Sequence, residues 1–89
     1  SESISKMLKL TRQLLLQNLT ILNTNRKTMQ QISVAYREGT VSYLDYISAL
    51  RDLLNSKNTV SAQFFTWLKW KAEALALEGR GYETWTALR

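Results

Sequence analysis

The sequence predicts an all-α chain: an antiparallel two-helix coiled-coil hairpin with a short irregular C-terminal tail. Three observations carry that reading. Proline is absent and only three glycines occur in 89 residues, so little interrupts a helix. Apolar residues recur at seven-residue spacing through both halves of the chain. Between the halves, Gly39-Thr40-Val41 is followed by Ser42-Tyr43-Leu44-Asp45, which has the spacing of a helix-starting capping box.

The first helix is expected over about residues 4–37. Leu8, Leu15, Leu22, Met29 and Tyr36 recur every seven residues. Met7, Leu14, Ile21 and Ala35 repeat one place earlier, with Thr28 interrupting, and widen the apolar stripe. The other seam position reads Ile4, Thr11, Asn18, Asn25, Ile32, apolar at the ends and polar in the middle. A dimeric zipper tolerates one such asparagine. Two in succession imply that this side meets water or a polar partner.

Gly39 is expected to end this helix, because glycine takes the left-handed conformation of a helix C-terminus at little cost. At Ser42 the hydroxyl and the Asp45 carboxylate can satisfy free amides reciprocally, and Asp45 also suits the positive end of the helix dipole. The link is then only residues 39–41, and so short a connection makes the helices antiparallel neighbours.

The second helix is expected over about residues 42–78. Its seam is Tyr46, Leu53, Val60, Trp67 and Ala74, with Ile47, Leu54, Ser61, Leu68 and Leu75 beside it. Leu50 and Phe64 complete the stripe; Lys57 and Lys71 interrupt it. Folding about the turn places Tyr36 near Tyr43, Met29 near Leu50, Leu15 near Phe64 and Asn18 near Ser61, so the polar middles of the two helices coincide. Ala62, Phe65, Ala72 and Ala76 form a further apolar face, and Trp70 and Leu77 lie on a third flank. A lone hairpin has no use for so many apolar faces. They imply side-by-side packing in an oligomer or a larger barrel. Gly79 and Gly81 are expected to end the helix. Residues 1–79 then form one hairpin domain with its tip at 39–41, and residues 80–89 a tail, either disordered or a short strand severed from its sheet.

Composition narrows the function. Cysteine and histidine are absent, which removes zinc fingers, disulfides, thiol nucleophiles and histidine acid–base pairs. The seven acids form no recognisable constellation: Asp45 and Asp52 lie two turns apart, too far to act on one bond. Gly79-Arg80-Gly81 lacks phosphate-loop spacing. The chain is therefore not expected to be an enzyme, and no cofactor or metal is expected. The net charge is +5, but the twelve basic residues are scattered in runs no longer than two. Solvated helix faces explain them better than a nucleic-acid surface does. Phe64, Phe65, Trp67 and Trp70 with Lys69 and Lys71 have the composition of a base-stacking or membrane-interface patch. Packing is the preferred reading, because the first three follow the seam and its neighbour. No apolar stretch approaches the ~18 residues of a membrane-spanning helix. The first residues lack the basic start and apolar core of a secretory signal. A soluble, mature or excised piece is expected, and the abrupt ends favour an excised one.

The run Tyr36-Arg37-Glu38-Gly39-Thr40-Val41-Ser42-Tyr43-Leu44-Asp45-Tyr46 resembles the periplasmic tip of the outer membrane efflux protein family, the TolC-like outer membrane factors. That family repeats a Tyr-x-x-Gly turn, a short polar link, two apolar residues and an Asp, followed by a long helix. Ala49, Leu53-Leu54-Asn55-Ser56 and Ala74-Leu75-Ala76-Leu77-Glu78-Gly79 sit in corresponding places, so the resemblance covers about residues 29–79. It implies a piece of the periplasmic portion of a Gram-negative outer-membrane protein, in which three chains form a helical tunnel beneath a β-barrel. The hairpin tips would meet the helical hairpins of a periplasmic adaptor (membrane fusion) protein in a tripartite pump or secretion system. By the same resemblance, Gly39, Thr40, Val41 and Ser42 match the adaptor-docking tip, Tyr36 a tyrosine that helps hold the closed state, and Asp45 an acid near the aperture. Val41 stands where some members carry arginine, and Ser48 where they carry a second acid.

Two other classes of function are compatible with the residues: a generic coiled-coil interaction module unrelated to transport, and a basic helical nucleic-acid binder.

Overall fold

The computed structural model describes the backbone of residues 2–87 and the side chains of residues 2–77. The chain forms two helices, α1 (Glu2–Arg37) and α2 (Tyr43–Ala87), packed against each other. At 1.5 Å per residue, 36 and 45 residues give rods of roughly 54 and 68 Å. The molecule accordingly measures 69 × 26 × 15 Å. Its radius of gyration is 20.3 Å, against about 12 Å for a globule of this length.

The inward row of α1 alternates steps of three and four residues: Ile4, Leu8, Thr11, Leu15, Asn18, Leu22, Asn25, Met29 and Ile32 are buried or half-buried. This is the seam expected from the sequence, polar middle included. The neighbouring row meets expectation only at its ends: Met7 and Ala35 are half-buried, whereas Leu14 and Ile21 are exposed and do not widen the stripe.

On α2 the seam expected at Tyr46, Leu53, Val60, Trp67 and Ala74 is half-buried throughout. Its companion row differs from the expected one. Ala49, Ser56, Gln63 and Trp70 turn inward, whereas Lys57, Phe64 and Lys71 are exposed; Leu50 is half-buried. Trp70 thus belongs to the seam and not to a third flank, and Phe64 lies outside it. The physical reason is size. Two helices interlock most closely where small side chains leave holes for large ones, and Ala49 and Ser56, both small, are the most buried of the described side chains of α2.

The register shifts accordingly. Asn25 meets Ser56, and Tyr36 stacks on Tyr46 at 5.0 Å between centroids as well as lying 6.1 Å from Tyr43. The polar middles do coincide, but through Asn25 and Ser56; Ser61 is exposed. Asn25 Nδ2 donates to Ser56 Oγ and, at 3.3 Å, to the Asp52 carbonyl, and Ser56 Oγ donates to the same carbonyl at 2.9 Å. Of the two environments the sequence allowed for the seam asparagines, Asn25 has the polar partner. Thr11, only 3% exposed, donates from its hydroxyl to the Met7 carbonyl at 2.8 Å. The polar seam is therefore satisfied: among the described residues, no buried side-chain polar atom lacks a partner.

α2 does not stop at Gly79 and Gly81, where the sequence placed its end, but continues through both to Ala87. The expected irregular tail at 80–89 is helical as far as Ala87, and residues 88–89 lie outside the described residues. A glycine inside a helix costs about 1 kcal/mol relative to alanine, which weakens a helix without stopping it. No proline follows to enforce an end.

Candidate functional site: the hairpin tip

The tip is built almost wholly from local interactions. Gly39 has φ +76°, the left-handed region that an L side chain enters only at a cost. This reversal lets the Gly39 amide donate to the Tyr36 carbonyl at 3.1 Å and the Thr40 amide to the Ala35 carbonyl at 2.9 Å. Together they make a Schellman closure, which satisfies carbonyls that the end of α1 would otherwise leave free. The Thr40 hydroxyl donates to the same Ala35 carbonyl at 3.0 Å.

Three residues later α2 begins with the capping box expected from the sequence. The Asp45 amide donates to Ser42 Oγ at 3.1 Å, and the Ser42 amide donates to Asp45 Oδ2 at 3.2 Å. The turn is thus fixed from both sides, with Val41 half-buried between the two caps. Beneath it, Tyr36 sits against Tyr43 and Tyr46, an aromatic cluster that joins the two helix ends.

The residues matched to a docking tip fall together: Gly39, Thr40, Val41 and Ser42 are one continuous turn, with Tyr36 and Asp45 at its flanks. Their orientations differ. The Asp45 carboxylate is folded back onto the Ser42 amide, so one of its oxygens caps α2. Tyr36 is engaged with its two neighbouring rings. The large apolar side chains most open to a partner there are ones the sequence reading had not singled out: Tyr43 is 60% and Leu44 77% exposed. The signal for them was the capping box itself. The two residues between its serine and its carboxylate start the first turn of a helix, where no preceding turn covers them.

Behind the tip, the exposed apolar side chains fall on both helices, among them Leu14 and Ile21 on α1 and Leu54, Phe65 and Leu68 on α2. Among the described residues no three His, Cys, Asp or Glu side chains come together, and no helix is long and apolar enough to cross a membrane. Comparisons with protein-family models, with curated proteins and with solved structures found no match to this chain.

Proposed function

We propose that this chain is the tip hairpin of a non-enzymatic conduit component, of the outer membrane factor type, which docks a periplasmic adaptor protein in a tripartite efflux or secretion system. The observation that carries the reading is the doubly capped turn. The Tyr-x-x-Gly-Thr-x-Ser-x-x-Asp order of the resemblance coincides with a compact, locally satisfied reversal that leaves Thr40, Tyr43 and Leu44 exposed at the end of a rod. An exposed aromatic and leucine on a rigid base suit helical-hairpin recognition, because little order must be gained on binding. The exposed apolar residues outside the seam give secondary support. They suit helices flanked by neighbours, as in a helical tunnel made of several chains. On this reading self-association belongs to the shank and adaptor docking to the tip.

The test is crosslinking in cells that carry the cognate adaptor, with a photoreactive residue placed at Thr40 or Leu44 and, as a control, at Lys27 in mid-shank. Adaptor adducts are expected from the tip positions alone, and Thr40→Trp is expected to reduce capture of adaptor hairpins at least about tenfold, the scale of one lost anchoring contact. Equal adducts from the mid-shank position, or capture unchanged by Thr40→Trp, overturns the tip assignment. The second reading, a coiled-coil module unrelated to transport, is favoured by the Asn25–Ser56 pair, a polar seam contact of the kind that fixes register in coiled coils. It predicts that the parent reading frame lacks barrel strands and a second Tyr-x-x-Gly repeat.

A further inference from the structure

At the end of the hairpin away from the tip, charge and apolar surface are brought together in a way the seam does not require. The chain has no acid between Glu2 and Glu38, and none between Asp52 and Glu73, while those stretches carry six and three basic residues respectively. Three of these, Lys9, Arg12 and Lys71, border one open cavity of about 360 Å³ between the helices. Its remaining walls are apolar: Leu8, Trp67, Ala74 and Leu75. Among the described residues no acidic side chain borders it. Among the described residues none of the three cations has an ion-pair partner. Lys71 is held at the rim, its Nζ 5.2 Å from the centroid of the Trp67 ring.

Helical spacing explains the convergence. Leu8, Lys9 and Arg12 lie on one face of α1, and Trp67, Lys71 and Leu75 are successive four-residue steps along α2. An apolar slot with an uncompensated cationic rim is complementary to a molecule that is apolar along its body and anionic at one end. We propose that this cavity binds a single-chain anionic amphiphile, a fatty-acid-like carboxylate. Its alkyl chain lies on Leu8, Trp67 and Leu75, and its head group sits among Lys9, Arg12 and Lys71. The volume is at the small end of the range for ligand sites, about 300–1,000 Å³, and matches one chain better than the paired chains of a phospholipid. A nucleic acid is the poorer fit: Lys71 lies over the Trp67 ring and covers that face against base stacking. This inference concerns the opposite end of the molecule from the tip and does not depend on adaptor docking.

The experiment is calorimetric titration of the full chain with dodecanoate below its micelle-forming concentration, with parallel arms of dodecanol, phosphatidylglycerol vesicles and single-stranded RNA. Saturable one-to-one binding of dodecanoate is expected, with dodecanol at least about tenfold weaker, the scale of a lost charge-assisted hydrogen bond. The paired charge reversal Arg12→Glu with Lys71→Glu is expected to weaken dodecanoate binding by at least the same factor. Both side chains are exposed, so the far-ultraviolet circular dichroism should be unchanged. If the reversal perturbs folding, the neutral pair Arg12→Gln with Lys71→Gln gives the same readout. Dodecanol binding as tightly as dodecanoate, affinity unchanged in a folded charge variant, or binding confined to the vesicles or the RNA would each overturn the proposal.

Discussion

The tip and the shank of this hairpin are stabilised in different ways. From Tyr36 to Tyr46 the chain satisfies its backbone within a few residues: a left-handed glycine closes one helix, a capping box opens the next, and three tyrosines pack between them. Along the shank the two helices share one narrow seam, in which Leu22 and Ala49 are the only buried apolar side chains among the described residues. Several leucines and both phenylalanines remain exposed there. The tip is specified by its own sequence, whereas the shank leaves apolar side chains exposed outside its one seam. A rod with one seam buries a smaller share of its apolar area than a globule does, so its stability depends on few residues.

The largest expected effect is therefore in the seam. Leu22 is 6% exposed. Replacing a buried leucine by alanine costs about 2–5 kcal/mol, and the open sides of a two-helix seam favour the lower part of that range because the site can relax. For a hairpin of this size, Leu22→Ala is expected to melt the isolated chain at or below room temperature, read by thermal circular dichroism. The same substitution at Leu54, which is half exposed, is expected to change the midpoint little. Equal effects at the two positions would show that the seam is not where the helices hold together.

A smaller effect is expected at the tip. No atom would lie within 4 Å of a Cβ added to Gly39, so substitution there meets no steric obstacle and its cost comes from the backbone alone. Holding a non-glycine residue in the left-handed region costs about 1–2 kcal/mol. Gly39→Ala is expected to lower stability by about 1 kcal/mol, and Gly39→Asn by less, because asparagine tolerates that region. Urea titration should show both as shifts in midpoint with an unchanged slope. A loss as large as that of Leu22→Ala would mean that the tip and shank are not energetically separate.

The same contrast decides how much was legible in the sequence. The turn was legible to the residue, because Gly39, Ser42 and Asp45 act through hydrogen bonds to near neighbours. The first seam of each helix was legible from its seven-residue spacing. The companion row of α2 was legible only in part: Leu50 is half-buried as expected, but hydrophobicity also favoured Phe64, while close helix packing selected Ala49 and Ser56. That choice also moved the register, so Asn25 and not Asn18 meets a serine of α2. At the tip, Tyr36 and Asp45 were singled out through the motif. Tyr43 and Leu44 were not, since a capping box is read for the residues that make its bonds and not for those it leaves outward.

The smallest effect tests the other misreading, the end of α2. Glycine was read there as punctuation, as it is at Gly39. The difference is that Gly39 has a turn beyond it that uses the left-handed conformation, with the Thr40 amide reaching back to Ala35. Beyond Gly81 the chain goes on as helix to Ala87. A helical glycine gains about 0.5–1 kcal/mol on replacement by alanine, whereas a left-handed one loses by it. Gly81→Ala is accordingly expected to raise helical content and stability slightly, opposite in sign to Gly39→Ala. A drop in both would mean that Gly81 ends the helix as Gly39 does, and that α2 is no longer than the sequence alone suggested.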